Sequence, residues 1–387
     1  MSTWEDDYAT RIMKSAAVPP RELVRGEGCY VWDSEGTKYL DFLAGIAVNS
    51  LGHAHPVLVE AVRAQVGTLA HVSNLFASPP QLALAERLLR LTGGDRVFFC
   101  NSGAEAIEAA IKLARRTGRP RILSLVNSFH GRTMGSLSLT GKPALREPFE
   151  PLLPGVDHIQ ATVGALERAI GPDVAALVVE PIQGEAGVIE LPTGYLEAAR
   201  RLTAQHGVLL ILDEIQTGAG RTGSWFAFQR EGITPDAIVV AKGIGGGVPI
   251  GALVTYGAAS DLLSAGQHGT TFGGNPLVTA ASNAVLAEIE RADLVGNARD
   301  RGAQLAEAIT AIGSPVITEV RGRGLLIGIG LSHPIAAEVV TAALTLGLII
   351  NAANPTSIRL APPLIIGEVE IAEFIQKFTH ALTEATS

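Results

Sequence analysis

Lys242 is the residue of this chain whose surroundings favour chemistry most clearly. It follows the apolar run Ala237–Val240 and precedes three consecutive glycines at 245–247. A lysine between an apolar strand and a glycine-rich turn has little access to water, which lowers its pKa and favours the amine as a nucleophile. A lysine at a strand end can also be structural, but these glycines leave room beside the amine for a bulky partner.

An acidic pair, Asp213 and Glu214, ends the apolar run Val208–Leu212. Sheets of parallel strands bind ligands at the carboxyl ends of their strands, where we expect this pair to lie. A carboxylate at that place can hold a metal ion or the protonated nitrogen of a heterocycle. The chain contains no Gly-x-x-x-x-Gly-Lys-Ser/Thr loop, so an ATPase would lack its phosphate-binding segment.

A turn of small residues, 101–104, connects the predicted strand Arg96–Cys100 to the predicted helix Ala104–Arg116. Ser102 can cap this helix, and the free N–H groups of a helix start attract phosphate. By itself the turn is more typical of an ordinary helix cap. Together with the lysine and the aspartate it indicates pyridoxal 5′-phosphate (PLP): the lysine binds the aldehyde, the aspartate protonates the pyridine nitrogen and the helix holds the phosphate.

Strand-length apolar runs alternate with helical segments in the part of the chain that carries these residues. This alternation predicts an α/β fold with a mostly parallel central sheet and helices on both faces. A (β/α)₈ barrel fits less well because the spacing is irregular. The predicted strands are Arg96–Cys100, Arg121–Leu125, Ala175–Val179, Val208–Leu212, Ala237–Val240 and Gly251–Thr255, and the predicted helices are Pro80–Leu91, Ala104–Arg116, Val163–Ile170 and Tyr195–His206.

The pattern changes after Pro276 to a smaller α+β arrangement. Residues 277–312 predict a long helix with a break near Asp293, and short strands and helices follow it. The segment Glu22–Phe42 predicts a β meander, which we expect beside the C-terminal part of the chain. We therefore expect a large domain at residues 50–276 and a small domain formed by residues 1–49 and 277–387.

Composition excludes several classes of protein. The net charge of −8, without a basic cluster, argues against nucleic-acid binding, and two cysteines are too few for a disulfide framework. His53 and His55 have no accompanying ligand cluster, so we expect no metal site. The acidic N-terminus lacks the apolar core of a secretion signal, and no apolar run is long enough for a membrane span. We expect a cytoplasmic protein.

Seven segments resemble, in order, those of the class III, fold-type I PLP-dependent aminotransferases, and among these the members acting on N2-acetyl-L-ornithine most closely. The likeness extends from about Arg25 to Pro363. The segments are Asn101-Ser-Gly-Ala-Glu-Ala, Ser128-Phe-His-Gly-Arg-Thr, Glu180-Pro-Ile-Gln-Gly-Glu, Asp213-Glu-Ile-Gln-Thr-Gly-Ala-Gly-Arg-Thr-Gly, Ala241-Lys-Gly, Gly269-Thr-Thr-Phe-Gly-Gly-Asn-Pro and Ile358-Arg-Leu-Ala-Pro-Pro.

The resemblance implies roles for the matching residues around the cofactor. Lys242 is expected to be the Schiff-base lysine and the proton carrier, and Asp213 the partner of the pyridinium nitrogen. Thr271 is expected to reach the phosphate bound by the neighbouring subunit of a homodimer. The further expected cofactor contacts are Ser102, Gly103, Phe129, Glu214, Ile215 and Gln216.

The resemblance also implies how substrates are chosen. Arg132 is expected to bind a substrate carboxylate, and Thr270 to line the substrate pocket. Arg359 is expected to bind the α-carboxylate of glutamate or 2-oxoglutarate. For an amine donor whose reacting amino group is remote, Glu185 is expected to mask this arginine. We call the Glu185–Arg359 ion pair the gate pair.

The implied activity is transfer of the δ-amino group of N2-acetyl-L-ornithine to 2-oxoglutarate, giving N-acetyl-L-glutamate 5-semialdehyde and L-glutamate in arginine biosynthesis. Residues 44–47 are small or aliphatic where ornithine aminotransferases tend to carry an aromatic, which leaves room for an acyl group. Ile107 departs from the asparagine frequent in similar proteins. The alternatives are ornithine, succinylornithine, succinyldiaminopimelate and 4-aminobutyrate aminotransferases, a fold-type I lyase or mutase, and a non-catalytic phosphate-binding module.

Overall fold

The structure is a computed structural model that describes residues 3–386. Within that range the strands are, in chain order, β1 Leu23–Glu27, β2 Tyr30–Asp33, β3 Lys38–Asp41, β4 Arg96–Cys100, β5 Arg121–Leu125, β6 Val156–Ile159, β7 Val174–Val179, β8 Ile182–Gln183, β9 Ile189–Glu190, β10 Leu209–Asp213, β11 Ala237–Val240, β12 Gly251–Thr255, β13 Ile317–Arg323, β14 Leu326–Leu331, β15 Leu348–Ile349, β16 Asn351–Asn354 and β17 Ser357–Leu360.

Helices flank these strands over most of the chain. Those described are α1 Trp4–Arg11, α2 Ala44–Ala47, α3 Pro56–Thr68, α4 Pro79–Thr92, α5 Gly103–Arg115, α6 Met134–Leu139, α7 Pro143–Arg146, α8 Val163–Ala169, α9 Tyr195–His206, α10 Pro276–Arg291, α11 Leu294–Ala311, α12 Ala336–Thr345 and α13 Glu368–Thr386. The short α2 is irregular, because Gly45 and Ile46 have left-handed backbone angles.

A seven-stranded sheet with the order β4-β12-β11-β10-β7-β5-β6 forms the centre of the fold. All of its neighbouring pairs are parallel except those of β12, which runs antiparallel to both β11 and β4. Every residue of β7, β11 and β12 is buried, as expected for strands covered on both faces. The predicted α/β fold with a mostly parallel sheet is confirmed.

Helix α5 packs on one face of this sheet and shows why the sequence folds this way. Its apolar residues follow a helical period, and Ala106, Ile107 and Ala110 are fully buried in the cluster beneath it. Ile107 therefore fills the core between helix and sheet.

The C-terminal part of the chain forms a separate antiparallel sheet with the order β13-β14-β17-β16. The predicted break in the long helix is confirmed, since α10 ends at Arg291 and α11 begins at Leu294. Asp293 lies between them with φ 46° and caps α11 by accepting a hydrogen bond from the N–H of Gly296.

The N-terminal meander, β1 to β3, packs against the C-terminal part, as predicted. Strand β3 pairs in parallel with β15, and the rings of Phe42 and Phe374 stack with centroids 4.5 Å apart. The division into domains at residues 50–276 and 1–49 with 277–387 stays a proposal. Within residues 3–386, no helix is both long and apolar enough to cross a membrane.

Candidate active site

Five strands, β4, β5, β7, β10 and β11, end at the same edge of the central sheet, and the residues after them surround a cavity of about 350 Å³. This is the edge at which open parallel sheets bind ligands. Eight of the residues predicted from the sequence line the cavity: Ser102, Gly103, Phe129, Glu185, Asp213, Ile215, Gln216 and Lys242.

Lys242 lies two residues beyond the end of β11 and lines the cavity. Its backbone has φ 46°, a strained left-handed conformation of the kind that concentrates at functional sites. Burial lowers the pKa of the Lys242 amine, and the guanidinium of Arg359 lowers it further. The carboxylates of Glu185, Asp213 and Glu180 oppose this shift without reversing it. The amine is thereby brought closer to the neutral, nucleophilic form.

Asp213 ends β10 and is held on both carboxylate oxygens. Its Oδ2 lies 2.7 Å from Nδ1 of His130, and its Oδ1 accepts a hydrogen bond from the N–H of Ile215 at 3.0 Å. Burial by itself lowers the pKa of the fully buried His130, but the hydrogen bond and charge of Asp213 outweigh it, and the pKa is raised. A fixed, buried carboxylate hydrogen-bonded to an imidazole is suited to holding a protonated heterocycle nitrogen.

Glu180 follows β7 and lines the same cavity. Its Oε2 accepts a hydrogen bond from the N–H of Phe129 at 2.9 Å, which fixes the segment carrying that ring. Burial raises the pKa of Glu180 to about 7, and the charge of Asp213 contributes in the same direction. His130 opposes the shift, so the three side chains form one buried acid–base cluster.

Helix α5 starts at the cavity and leaves its first N–H groups facing the site. The Oγ of Ser102 caps the helix by accepting a hydrogen bond from the N–H of Glu105 at 3.2 Å. A Cβ at Gly103 would lie 2.7 Å from Cδ1 of Ile215, so a larger residue at this position would press on the Ile215 side chain. The arrangement suits a phosphate group.

The gate pair is formed. Nη1 of Arg359 donates to Oε1 of Glu185 at 2.5 Å, and Arg359 is buried with 1% of its surface exposed. Its Nη2 donates to Oδ1 of Asn351 at 2.7 Å, and Nη1 also lies 3.4 Å from Oε1 of Gln216. Glu185 and Gln216 line the cavity and Arg359 lies behind them. In this structure the carboxylate therefore masks the guanidinium.

Arg132 lies at the surface near the cavity mouth. Its guanidinium is 5.6 Å from the centroid of the Phe129 ring, a cation–π distance. Arg132 does not line the cavity, but its exposed position leaves the guanidinium free to meet a carboxylate entering from solvent.

Three predicted residues lie away from the cavity of this chain. The carboxylate of Glu214 is fully buried and accepts hydrogen bonds from the side chain of Thr217 and the backbone N–H groups of Ala227 and Phe228. Thr270 accepts a hydrogen bond on Oγ1 from Asn101 at 2.9 Å, and Thr271 is exposed. Glu214 therefore braces the loop behind the site and does not face it.

Sequence reasoning assigned no role to His130, Glu180, Lys142 or Asn351. His130 and Glu180 lie inside two of the seven segments that resemble the family, close in sequence to residues with expected roles. That closeness in sequence is the signal that could have identified them. Lys142 donates to the carbonyl of Glu185 at 2.6 Å, and Asn351 binds Arg359. Nothing in the local sequence around these two residues indicates such contacts.

One member of the N-terminal histidine pair, His53, has a carboxylate partner. His53 Nε2 lies 2.8 Å from Oδ2 of Asp41, at the end of β3. Among residues 3–386 there is no group of three or more His, Cys, Asp or Glu side chains arranged to hold a metal ion.

Comparison with known proteins gives a family for this site. The model of the aminotransferase class-III family matches residues 12–382. The chain is 52% identical to acetylornithine aminotransferase of Mycolicibacterium smegmatis over 99% of each chain. It is 50% identical to the Streptomyces coelicolor acetylornithine aminotransferase, covering 97% of this chain and 94% of the relative.

Solved structures agree. The ornithine aminotransferase of Toxoplasma gondii superimposes with a TM-score of 0.94 at 33% identity, covering 99% of this chain and 96% of that one. The N-acetylornithine aminotransferase of Stenotrophomonas maltophilia gives a TM-score of 0.84 at 37% identity, covering 94% and 96%. With a family match over nearly the whole chain and a lysine, an aspartate and a helix start meeting at one cavity, the chain belongs to the class III aminotransferases.

Proposed function

We propose that this chain is a PLP-dependent aminotransferase that moves the δ-amino group of N2-acetyl-L-ornithine to 2-oxoglutarate. The products are N-acetyl-L-glutamate 5-semialdehyde and L-glutamate, a step of arginine biosynthesis. The observation that carries the proposal is the meeting of Lys242, Asp213 and the start of α5 around one cavity. The names of the relatives at 50% identity and above support the choice of amine.

The residues present fit PLP. The cavity of about 350 Å³ has a lysine of lowered pKa, a buried carboxylate and a helix N-terminus on its walls. Lys242 would hold the aldehyde carbon, Asp213 the ring nitrogen, and Ser102 with Gly103 the phosphate. Phe129 and Ile215 line the cavity as apolar surfaces for a ring, and Gln216 adds a polar group at its edge.

When bound, PLP withdraws electrons from the carbon that bears the reacting amino group. The chain's own residues supply the rest. Lys242 would be the base that takes a proton from that carbon and delivers it to the carbon that carried the aldehyde group of the cofactor, which its lowered pKa favours. Asp213, fixed by His130, keeps a positive charge on the bound ring. The closed gate pair keeps the Arg359 charge away from an acylated amine donor, and opening it binds a dicarboxylate.

The space around the substrate supports an acylated donor. Val48 lines the cavity directly after the small residues of 44–47, so no aromatic side chain from that segment fills the volume. Free ornithine is the main competing substrate, because structures of ornithine aminotransferases share this fold closely.

We also propose that the protein works as a homodimer. Leu75, Phe76 and Phe272 are 83%, 68% and 59% exposed beside Thr270 and Thr271, a concentration of apolar surface that a second copy would cover. The segments adjoin, since Nδ2 of Asn74 donates to the carbonyl of Thr270. Light scattering of the purified protein tests this, and a monomer at micromolar concentration would contradict it. A cytoplasmic location is part of the proposal, and the buried free thiols of Cys29 and Cys100 suit a reducing compartment.

A substrate panel tests the activity. The purified protein, loaded with PLP, is assayed with 2-oxoglutarate and each of N2-acetyl-L-ornithine, L-ornithine, N2-succinyl-L-ornithine, N-succinyl-diaminopimelate and 4-aminobutyrate. We expect the highest kcat/KM for N2-acetyl-L-ornithine. A higher value for free ornithine would reassign the substrate, and colourless, inert protein after incubation with PLP would support a non-catalytic phosphate-binding module.

A further inference from the structure

Lys142 lies beside the gate pair without belonging to the catalytic residues named above. It is half-buried, and its Nζ donates a hydrogen bond to the backbone carbonyl of Glu185 at 2.6 Å. Burial lowers the pKa of Lys142. The carboxylates of Glu185 and Glu180 oppose this shift without reversing it, and the charges of Arg359 and Arg132 add to it. Arg359 is the first cation next to Glu185. Lys142 therefore adds a second one, which lies at the backbone carbonyl of Glu185.

The backbone of the turn that carries Glu185 is held at three successive carbonyls. Lys142 binds the carbonyl of Glu185, Nδ2 of Asn354 that of Ala186 at 2.8 Å, and Nε of Arg321 that of Gly187 at 2.9 Å. These donors come from the loop before α7 and from strands β16 and β13. Because this backbone is fixed, and because Arg359 is buried and also bound to Asn351, rotation of the Glu185 side chain is the motion that we assign to opening of the gate pair.

That rotation brings the carboxylate within reach of Lys142. A carbonyl oxygen lies about 2.4 Å from its own Cα, so the ammonium is at most about 5 Å from the Cα of Glu185, which a glutamate side chain can span. We propose that Lys142 is a positioning residue that receives the carboxylate of Glu185 when a dicarboxylate substrate displaces it from Arg359. The inference rests on the proposed function of the same site.

The need for such a partner follows from the partial burial of the gate pair, in which 1% of the Arg359 side chain and 26% of the Glu185 side chain are exposed. Breaking a buried ion pair is strongly unfavourable when a charge is left without a partner. Arg359 keeps its hydrogen bond to Asn351 and forms a new ion pair with the substrate carboxylate, so its charge still has a partner. Glu185 loses its arginine partner. Of the two lysines whose charges act on its carboxylate, Lys242 is committed to the cofactor, so Lys142 is the cation left to receive it. Opening then becomes an exchange of partners for both members of the gate pair.

Equilibrium binding of glutarate, an unreactive dicarboxylate, tests the inference without turnover. Calorimetry on the PLP-loaded protein compares wild type with K142M, K142R and N354A. We expect about tenfold weaker binding for K142M and no more than about twofold for K142R, which keeps the charge. Asn354→Ala removes the neighbouring carbonyl contact without changing charge, so it should also stay within about twofold. Wild-type affinity in K142M, or an equal loss in N354A, would overturn the proposal.

A double-mutant cycle decides whether Lys142 acts through Glu185 or attracts the ligand directly. In the E185Q background there is no carboxylate to receive, so K142M should leave glutarate affinity unchanged. A loss as large as in wild type would instead mean simple attraction and would overturn the inference. The proposed function has its own readout: failure of wild type to react with N2-acetyl-L-ornithine rejects that substrate, while the glutarate measurements still decide the role of Lys142.

Discussion

The two ends of the cavity are built in different ways. The cofactor end, Ser102, Asp213 and Lys242, stands on the carboxyl ends of strands of one sheet. The gate pair joins the turn between β8 and β9 to β17 of another sheet, across 174 residues of sequence. In the proposed function the first end supplies the chemistry of the reaction. The second depends on an ion pair that must break, and it chooses the substrate.

Replacing Lys242 has the largest expected effect, because among residues 3–386 it is the one lysine that lines the cavity. Lys242→Ala should lower kcat with N2-acetyl-L-ornithine by at least about 10³-fold and abolish the visible absorbance of a covalently held cofactor. Steady-state assays and absorbance spectra measure both. Lys112→Ala on the exposed side of α5 is the matched control. Wild-type turnover in K242A would refute the assigned chemistry.

Asp213→Asn keeps the shape of the cofactor end but removes its charge. We expect kcat to fall by about 10²-fold or more with N2-acetyl-L-ornithine and with glutamate alike. The reason is that the Asp213 carboxylate stabilises positive charge on the bound ring whichever amine donor reacts. Asp236→Asn serves as control, since Asp236 binds Arg200 and the N–H of Leu210 away from the cavity. If D213N kept the wild-type kcat but changed the preference between the two donors, the assignment of chemistry to the cofactor end and of substrate choice to the gate pair would be wrong.

Glu185→Ala should alter preference and leave the chemistry largely intact. With Arg359 unmasked, kcat/KM for N2-acetyl-L-ornithine should fall about tenfold relative to that for glutamate. Single-turnover rates with each donor give this ratio. Glu190→Ala, which removes the partner of Arg323 in the same hairpin, should leave the ratio unchanged. An equal fall for both donors would place Glu185 at the cofactor end instead.

The smallest expected effect concerns stability behind the cofactor end. Burial raises the pKa of Glu214 to about 7, above the usual value of 4.5, so the folded state holds a proton that the unfolded state releases. This contribution is complete below about pH 4.5 and is lost as the pH rises through about 7, with a slope no steeper than about 1.4 kcal/mol per pH unit.

Urea unfolding of the cofactor-free protein from pH 5 to pH 8 measures this loss. The stability of wild type relative to E214Q should decline across that window. Glu288→Gln is the control, because its hydrogen bond to Arg291 lowers the pKa of Glu288 and moves its titration below the window. A flat difference for E214Q would show that Glu214 is ionised in the folded protein throughout.

Much of the fold is predictable because apolar runs bounded by turn residues mark buried strands. The bounds of β4, β5, β11 and β12 agree with those read from the sequence. The direction of β12 was not predictable, because an apolar run carries no sign of its orientation. The two-residue strands β8, β9 and β15 are too short to show alternation, and they were missed.

The positions of the site residues were predictable where a motif follows a strand of the central sheet. They were less predictable where residues meet across two sheets. Asp213 and Glu214 are neighbours, but successive residues at a strand end point to opposite sides, so only Asp213 reaches the cavity. Contacts across sheets, such as Asn351 with Arg359, depend on tertiary packing that no local pattern reports.

The most direct test of the central claim is to locate the covalent attachment. The protein is incubated with PLP, reduced with borohydride, digested and analysed by peptide mass spectrometry. We expect a phosphopyridoxyl group on Lys242 and on none of the other five lysines, 14, 38, 112, 142 and 377. A stoichiometric label on another lysine, or no label in protein that is active, would contradict it.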